Sequence, residues 1–340
     1  MIADNCVLEV RNLRTYFKLD EGILKAVDGF DLRVRETTTV GIIGESGCGK
    51  SVTAQSILRI VPPPGRIVDG EICLDRREQP PVDLTKLEPN GPEIRSIRGK
   101  DISMVFQEPM TSLSPVHTVG DQIMETILLH VTKNKREAQD MAIDMINRVG
   151  ISNPSQRFRE YPHQLSGGMR QRAMIAMALA CNPRVLIADE PTTALDVTVQ
   201  AQILELMKKL QEEFGMAIIY ITHNLGVIAE IADEVNVMYL GRVVERANAV
   251  ELFRNPLHPY TARLLNSIPK VGQKARTRLD AIKGNVPIPL DPPIECGFYS
   301  RCAEAIAGRC NQAVPALVDM GNQHYVRCFL HSQEQEALHG

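Results

Sequence analysis

Thr39-Val40-Gly41-Ile42-Ile43-Gly44-Glu45-Ser46-Gly47-Cys48-Gly49-Lys50-Ser51 is the stretch from which the rest of the chain is read. Its opening apolar run, bounded by turn residues, predicts a short buried strand. Gly44 to Ser51 then fits the pattern G-x-x-x-x-G-K-[ST], and a helix is expected from about Ser51 to Arg59. In a strand, loop and helix of this kind the backbone of Gly44, Glu45, Ser46, Gly47, Cys48 and Gly49 can turn its N–H groups toward phosphate. Lys50 adds a point charge, Ser51 a hydroxyl for Mg²⁺, and the first helical turn, with Val52, a partial positive charge. A chance glycine-rich turn would not need the strand before it or the helix after it.

Val185-Leu186-Ile187-Ala188-Asp189-Glu190 is a second apolar strand, ending in two acids. On its own it is a strand meeting a solvated turn. Beside a phosphate loop it predicts both carboxylates at the carboxyl edge of a nucleotide-binding sheet, with Asp189 toward Mg²⁺ and Glu190 toward an attacking water.

Between and around these stretches, strand-like patterning from Val7 to Val34 predicts an antiparallel β layer. A strand is expected at 101–106, helical periodicity covers about 119–150, and helices are expected at 169–181 and 197–213, with strands at 185–188, 216–221 and around 235–244. Alternation of strands and helices implies a parallel sheet covered on both faces. Arg76 to Pro92 reads as loop-rich. Beyond Glu251 the prolines Pro256, Pro259, Pro269, Pro287, Pro289, Pro292 and Pro293 predict mostly extended or looped chain.

Leu165-Ser166-Gly167-Gly168-Met169-Arg170-Gln171 narrows the class, because it resembles the signature sequence of ABC-type ATPases. Met169 stands where the generic form has Gln, and the L-S-G-G-M-R-Q-R version is similar to the peptide-transporter branch. Gln107 resembles the Q-loop glutamine, His223 the switch histidine and Asp196 in Ala194-Leu195-Asp196 the D-loop acid. Singly, each reads as a surface Gln, a helix-starting His and an N-cap Asp; their shared order carries the resemblance. Phe17, rather than Tyr16, is the aromatic expected on adenine. The fold implied is an α/β P-loop NTPase (ABC ATPase) core with an antiparallel β subdomain and a helical subdomain. Residues 1–255 would form the ATP-binding domain, with a helical insert at about 108–168.

Asn255-Pro256-Leu257-His258-Pro259-Tyr260-Thr261, followed by a short helix, is similar to the start of the C-terminal extension of oligopeptide/dipeptide permease ATPases, here 256–340. In that branch the extension carries four cysteines, which here would be Cys296, Cys302, Cys310 and Cys328. The resemblance implies an iron–sulfur (4Fe-4S) cluster. Read from the residues alone, a tetrahedral zinc site or unliganded buried thiols stay open, although no C-x2-C knuckle is present.

The resemblance further implies ATP and Mg²⁺ as ligands, with Glu190, His223 and Gln107 acting in hydrolysis. Ser166, Gly167 and Gly168 would close on a nucleotide held by a second ABC ATPase subunit, a related chain or a copy of this one. Two membrane-spanning permease subunits and an extracytoplasmic solute-binding protein are the other partners implied, with peptides as the leading solute and nickel or oligosaccharides served by the same branch. At 340 residues, 44% hydrophobic and with a net charge of −3, the chain can bury a sizeable core and has no basic field for nucleic acid. The longest apolar stretch, Ala173 to Cys181, is too short to cross a bilayer, and the N-terminus lacks a secretory pattern. A peripheral place on the cytoplasmic face of the inner membrane is expected. Soluble ABC ATPases of ribosomes or DNA usually carry two ATPase units or long inserts, and a non-hydrolysing regulatory module would lack Glu190 or His223; neither description fits.

Overall fold

A computed structural model describes residues 5–76, 79–107, 112–193, 195–267, 282 and 284–332. In chain order, β1 (Cys6–Leu19) and β2 (Gly22–Arg35) form a long hairpin, followed by β3 (Thr39–Ile43) and α1 (Lys50–Ile57). Next come β4 (Gly65–Arg76), β5 (Gln79–Asp83), α2 (Pro92–Ile97) and β6 (Ile102–Val105). A helical stretch holds α3 (Val119–His130), α4 (Lys135–Arg148), α5 (Pro154–Arg157) and α6 (Gly167–Leu179). The chain then runs through β7 (Val185–Asp189), α7 (Val197–Phe214), β8 (Ala217–Ile221), α8 (Leu225–Ile231), β9 (Glu234–Tyr239) and β10 (Arg242–Asn248). Two short helices, α9 (Ala249–Arg254) and α10 (Pro259–Asn266), and two-residue strands β11 (Val318–Asp319) and β12 (Tyr325–Val326) complete it.

These elements gather into two compact units. The first holds Met1–Leu8, Arg33–Thr39 and Cys73–Tyr220; the second holds Glu9–Leu32, Val40–Ile72 and Ile221–Gly340. In the first, β6 and β7 pair in parallel with Val105 opposite Ala188. Every residue of β7 is buried, as expected of a strand covered on both faces. The helical stretch begins at a Thr118 cap, whose Oγ1 accepts from the Asp121 N–H at 3.1 Å, and α4 begins at an Asn134 cap. Residues 108–111, where the insert is expected to start, lie outside the described residues.

In the second unit, β3 and β9 pair in parallel, and β9, β10, β12 and β11 continue antiparallel. The loop-rich reading of 76–92 missed the end of β4 and all of β5, which pair with each other at Cys73 and Asp83. Prolines hid them: Pro62, Pro63 and Pro64 precede β4, and β5 itself contains Pro80 and Pro81. The region after Glu251 opens with two helices, and the described residues from 284 on are mostly looped.

The C-terminal region is tied to β10 by a buried acid. Glu245 is fully buried, and its carboxylate accepts from the Leu257 N–H at 2.7 Å and the His258 N–H at 2.9 Å, with His324 Nε2 at 2.7 Å. His258 caps α10, its Nδ1 accepting from the Tyr260 N–H at 3.0 Å. Burial holds the His258 pKa down to about 4, against an ordinary value of 6.5. Glu245 pulls in the opposite direction, and His331 adds to the depression.

The unfolded chain therefore takes up this proton first as pH falls, so the folded state loses stability between about 6.5 and 4. The loss at the lower limit is roughly 3 kcal/mol. Chemical denaturation at pH 7.5 and 5 should show it, and His258→Asn, which can keep the cap, should flatten that part of the profile.

Candidate nucleotide-binding site

The phosphate loop leaves β3 and enters α1 within the second unit. Gly49, with φ +102°, is the residue that starts α1, and a Cβ built there would lie 2.2 Å from the Ala26 carbonyl oxygen. A Cβ on Gly44 would lie 2.4 Å from the Met238 carbonyl oxygen and 2.7 Å from Cys48 Sγ. Neither position admits a side chain. The Cys48 thiol is buried, which raises its pKa, and its carbonyl accepts from the Gly241 N–H at 2.9 Å. Lys50 is buried, with Nζ donating to the carbonyls of Gly44 at 2.9 Å and Glu45 at 3.0 Å. Ser46 and Gly47 are exposed at the tip, and Ser51 and Val52 are half-buried in the first helical turn.

The aromatic pair on β1 divides its work. Tyr16 donates its hydroxyl to Asp28 at 2.6 Å and has Lys25 over its ring at 5.7 Å. Phe17 is half-buried and lies over Gly65, where an added Cβ would sit 2.5 Å from its ring edge. Phe17 is thus the aromatic not locked by a polar partner. His223 follows β8 as an exposed residue; the preceding Thr222 N–H donates to the Ile42 carbonyl at 3.2 Å. His223 and the phosphate loop therefore leave the same edge of the second unit.

In the first unit the two acids stand at the carboxyl end of β7. Asp189 is 4% exposed, while Glu190 is half-buried with φ +47°, a strained conformation for a residue with a side chain. Glu190 Oε2 accepts from Gln107 Nε2 at 3.2 Å and from Thr193 Oγ1 at 3.0 Å. Gln107, beyond β6, and Glu190, beyond β7, are brought together because their strands run parallel in register.

Ser166 caps α6, its Oγ accepting from the Met169 N–H at 3.3 Å, and both Ser166 and Gly167 are exposed. An added Cβ on Gly167 meets nothing within 4 Å, so its small size leaves open space in front of a helix start. Asp196 caps α7, accepting from the Val199 N–H at 2.9 Å; Ala194, beside it, lies outside the described residues.

The four C-terminal cysteines share one neighbourhood. The Cys296 N–H donates to the Cys310 carbonyl at 2.8 Å, and the Ile306 N–H approaches Cys310 Sγ at 3.4 Å. Burial raises the thiol pKa of Cys296 and Cys302 and pushes that of Cys328 up to about 12, with the charges of the other three adding to the rise at Cys328. Among the described residues, no group of three His, Cys, Asp or Glu side chains is arranged to hold a metal ion. No described helix is long and apolar enough to cross a membrane.

Sequence reasoning passed over two residues that touch the phosphate loop. Tyr260 accepts the Glu45 N–H at 2.9 Å, and Arg301 donates to the Glu45 carboxylate at 2.7 and 3.0 Å. Tyr260 lies inside the quoted motif from Asn255 to Thr261 and Arg301 stands next to Cys302, but nothing in either stretch names a partner more than 200 residues away.

A phosphate loop and a Ser-Gly-Gly helix opening, exposed at Ser166 and Gly167, are the two features on which the resemblance to ABC-type ATPases rests. The ABC transporter family matches residues 27–193, and the oligopeptide/dipeptide transporter C-terminal region matches residues 244–314. The oligopeptide transport ATP-binding protein AppD of Bacillus subtilis is 50% identical over 96% of this chain and 98% of its own. The dipeptide transport ATP-binding protein DppD of the same organism is 45% identical over 97% of this chain and 96% of its own. Among solved structures, the dimeric bacterial ABC transporter cassette MJ0796 is similar at 28% identity and a TM-score of 0.62, covering 71% of this chain and 98% of that one. The same cassette is also similar in a post-hydrolysis dimer bound to ADP and Pi, at 27% identity. This chain belongs to the ABC transporter ATP-binding family, in the branch that carries the oligopeptide/dipeptide transporter C-terminal region.

Gly49→Ala should destabilise the protein by about 2–4 kcal/mol, because it adds a backbone collision to an unfavourable φ. Gly47→Ala, at φ +81° with nothing within 4 Å of the added Cβ, should cost only about 1–2 kcal/mol. Denaturant unfolding of the two variants side by side measures the difference.

Proposed function

We propose that this chain is the ATP-hydrolysing subunit that energises ABC-type import of peptides, working in a pair of ATPase subunits beneath two membrane-spanning permease subunits. An extracytoplasmic solute-binding protein would deliver the solute, and the chain would sit on the cytoplasmic face of the membrane. The observation that carries the reading is identity of half or nearly half along almost the whole length of chains described as oligopeptide and dipeptide transport ATP-binding proteins. The dimeric cassette structures support the pairing. For domain organisation we keep residues 1–255 as the ATP-binding domain, with its insert at about 108–168, and 256–340 as the extension.

Within this reading Lys50 leaves its two carbonyls for the phosphates, and the backbone of residues 44–49, apart from the Glu45 N–H that Tyr260 holds, donates to them. Phe17 offers its ring to adenine. Ser51, Gln107 and Asp189 present hard oxygen donors suited to Mg²⁺, which when bound offsets phosphate charge. Glu190 orients and deprotonates the attacking water, with Gln107 and Thr193 holding its carboxylate in place. His223 steadies the γ-phosphate. Ser166, Gly167 and Gly168 present a helix N-terminus to the nucleotide held by the paired subunit, and Asp196 couples the two sites.

The cysteines extend the proposal. Cys296, Cys302, Cys310 and Cys328 are four soft sulfur donors in one neighbourhood, the chemistry an iron–sulfur cluster needs. Iron and acid-labile sulfide near four per chain in anaerobic material, lost in Cys302→Ser, are the expected result, and zinc in their place would refute the cluster.

Reconstitution of the chain with its permease subunits and binding protein in proteoliposomes should give ATP-dependent uptake of short peptides. Uptake of nickel or an oligosaccharide but not peptides would overturn the solute class. Glu190→Gln should lower kcat by two to four orders of magnitude, roughly the contribution of a general base, while MgATP still binds.

A further inference from the structure

Glu45 places a carboxylate inside a loop built to receive an anion. Its three polar groups are all engaged within the second unit. The backbone N–H goes to the Tyr260 hydroxyl at 2.9 Å, the carbonyl accepts from Lys50 at 3.0 Å, and the carboxylate takes both arms of Arg301 at 2.7 and 3.0 Å. Arg301 is itself fixed: its side chain is 5% exposed and also donates to the Tyr239 hydroxyl at 3.2 Å and the Gly284 carbonyl at 3.0 Å. Tyr260, Tyr239 and Phe298 pack ring on ring at 4.7 to 5.3 Å between centroids, so the groups that grip Glu45 stand on a rigid aromatic base.

We propose that Arg301 is a positioning residue for nucleotide binding, acting through Glu45. By neutralising that carboxylate and pinning it away from the loop's donors, Arg301 lets the phosphate loop accept a triphosphate. Without Arg301 the carboxylate would repel the phosphates, and it would compete with them for the Lys50 ammonium, which already rests on the Glu45 backbone. A fork of two charge-assisted hydrogen bonds suits this task because it fixes direction as well as charge. The segment between Cys296 and Cys302 thereby becomes part of the nucleotide site. The proposal rests on the reading of residues 44–51 as an ATP-binding loop.

Equilibrium titration of the full-length chain with MgATP tests it, comparing wild type with Arg301→Met, Arg301→Lys and the double variant Glu45→Gln/Arg301→Met. Arg301→Met should weaken binding roughly ten- to a hundredfold, the equivalent of one charge-assisted hydrogen bond left unmade. Arg301→Lys should fall between it and wild type. The double variant, which has no unmatched carboxylate, should bind more tightly than Arg301→Met. A merely structural arginine gives a double variant at least as weak as the single one, and that result, or wild-type affinity in Arg301→Met, overturns the role. If Arg301→Met does not fold, Arg301→Lys decides: weaker binding supports the proposal and unchanged binding refutes it. A wild-type chain that binds no MgATP overturns the ATP-binding reading, and this proposal falls with it.

Discussion

A phosphate-binding turn must pass its backbone through space that a Cβ would occupy, and much of the second unit is arranged around that passage. At Gly49 the limiting neighbour is the Ala26 carbonyl on β2, and at Gly44 it is the Met238 carbonyl on β9. Two strands from opposite sides thus set the width of the turn. The hydrogen bond from the Gly241 N–H to the Cys48 carbonyl closes the same gap from the β9–β10 connection. With strands this close, glycine is the only residue that keeps the chain path at these two positions.

Burial imposes a second constraint farther along. Glu245 lies at 0% exposure, and a carboxylate out of water must be surrounded by donors. The donors it finds are the backbone N–H groups of Leu257 and His258, at the entry to α10, and the His324 ring. One acid therefore orients the entry to α10 and with it Tyr260. The strand that carries Glu245 follows directly from the one that carries Tyr239, so the demand of a single buried charge reaches the aromatic base under the phosphate loop.

What could be read in advance was local. The apolar runs of β3, β7 and β8, the glycine spacing of the phosphate loop and the cap at Asp196 are properties of a few adjacent residues, and the structure has them within a residue or two of expectation. Gln107 and Glu190 are 83 residues apart; Glu190 was legible as the end of its own buried strand, Gln107 only through the resemblance carried by the order of the motifs. The strands β4 and β5 were not, since proline beside and within them outweighed a weak alternation of burial. Arg301 and Tyr260 were invisible for a different reason: a side chain's partner across 256 or 215 residues leaves no periodicity to detect.

Why an acid should occupy an anion-binding loop follows from that long-range pairing. A loop of glycine and serine alone would satisfy its backbone equally well in several closed forms, and Lys50 already shows one such form by sitting on two loop carbonyls. A charged residue at the loop's second position has only one place to go when its counter-charge is buried and forked. The carboxylate is unfavourable toward phosphate only while unmatched. Matched, it converts a floppy turn into one held from three directions, and the C-terminal region supplies two of the three.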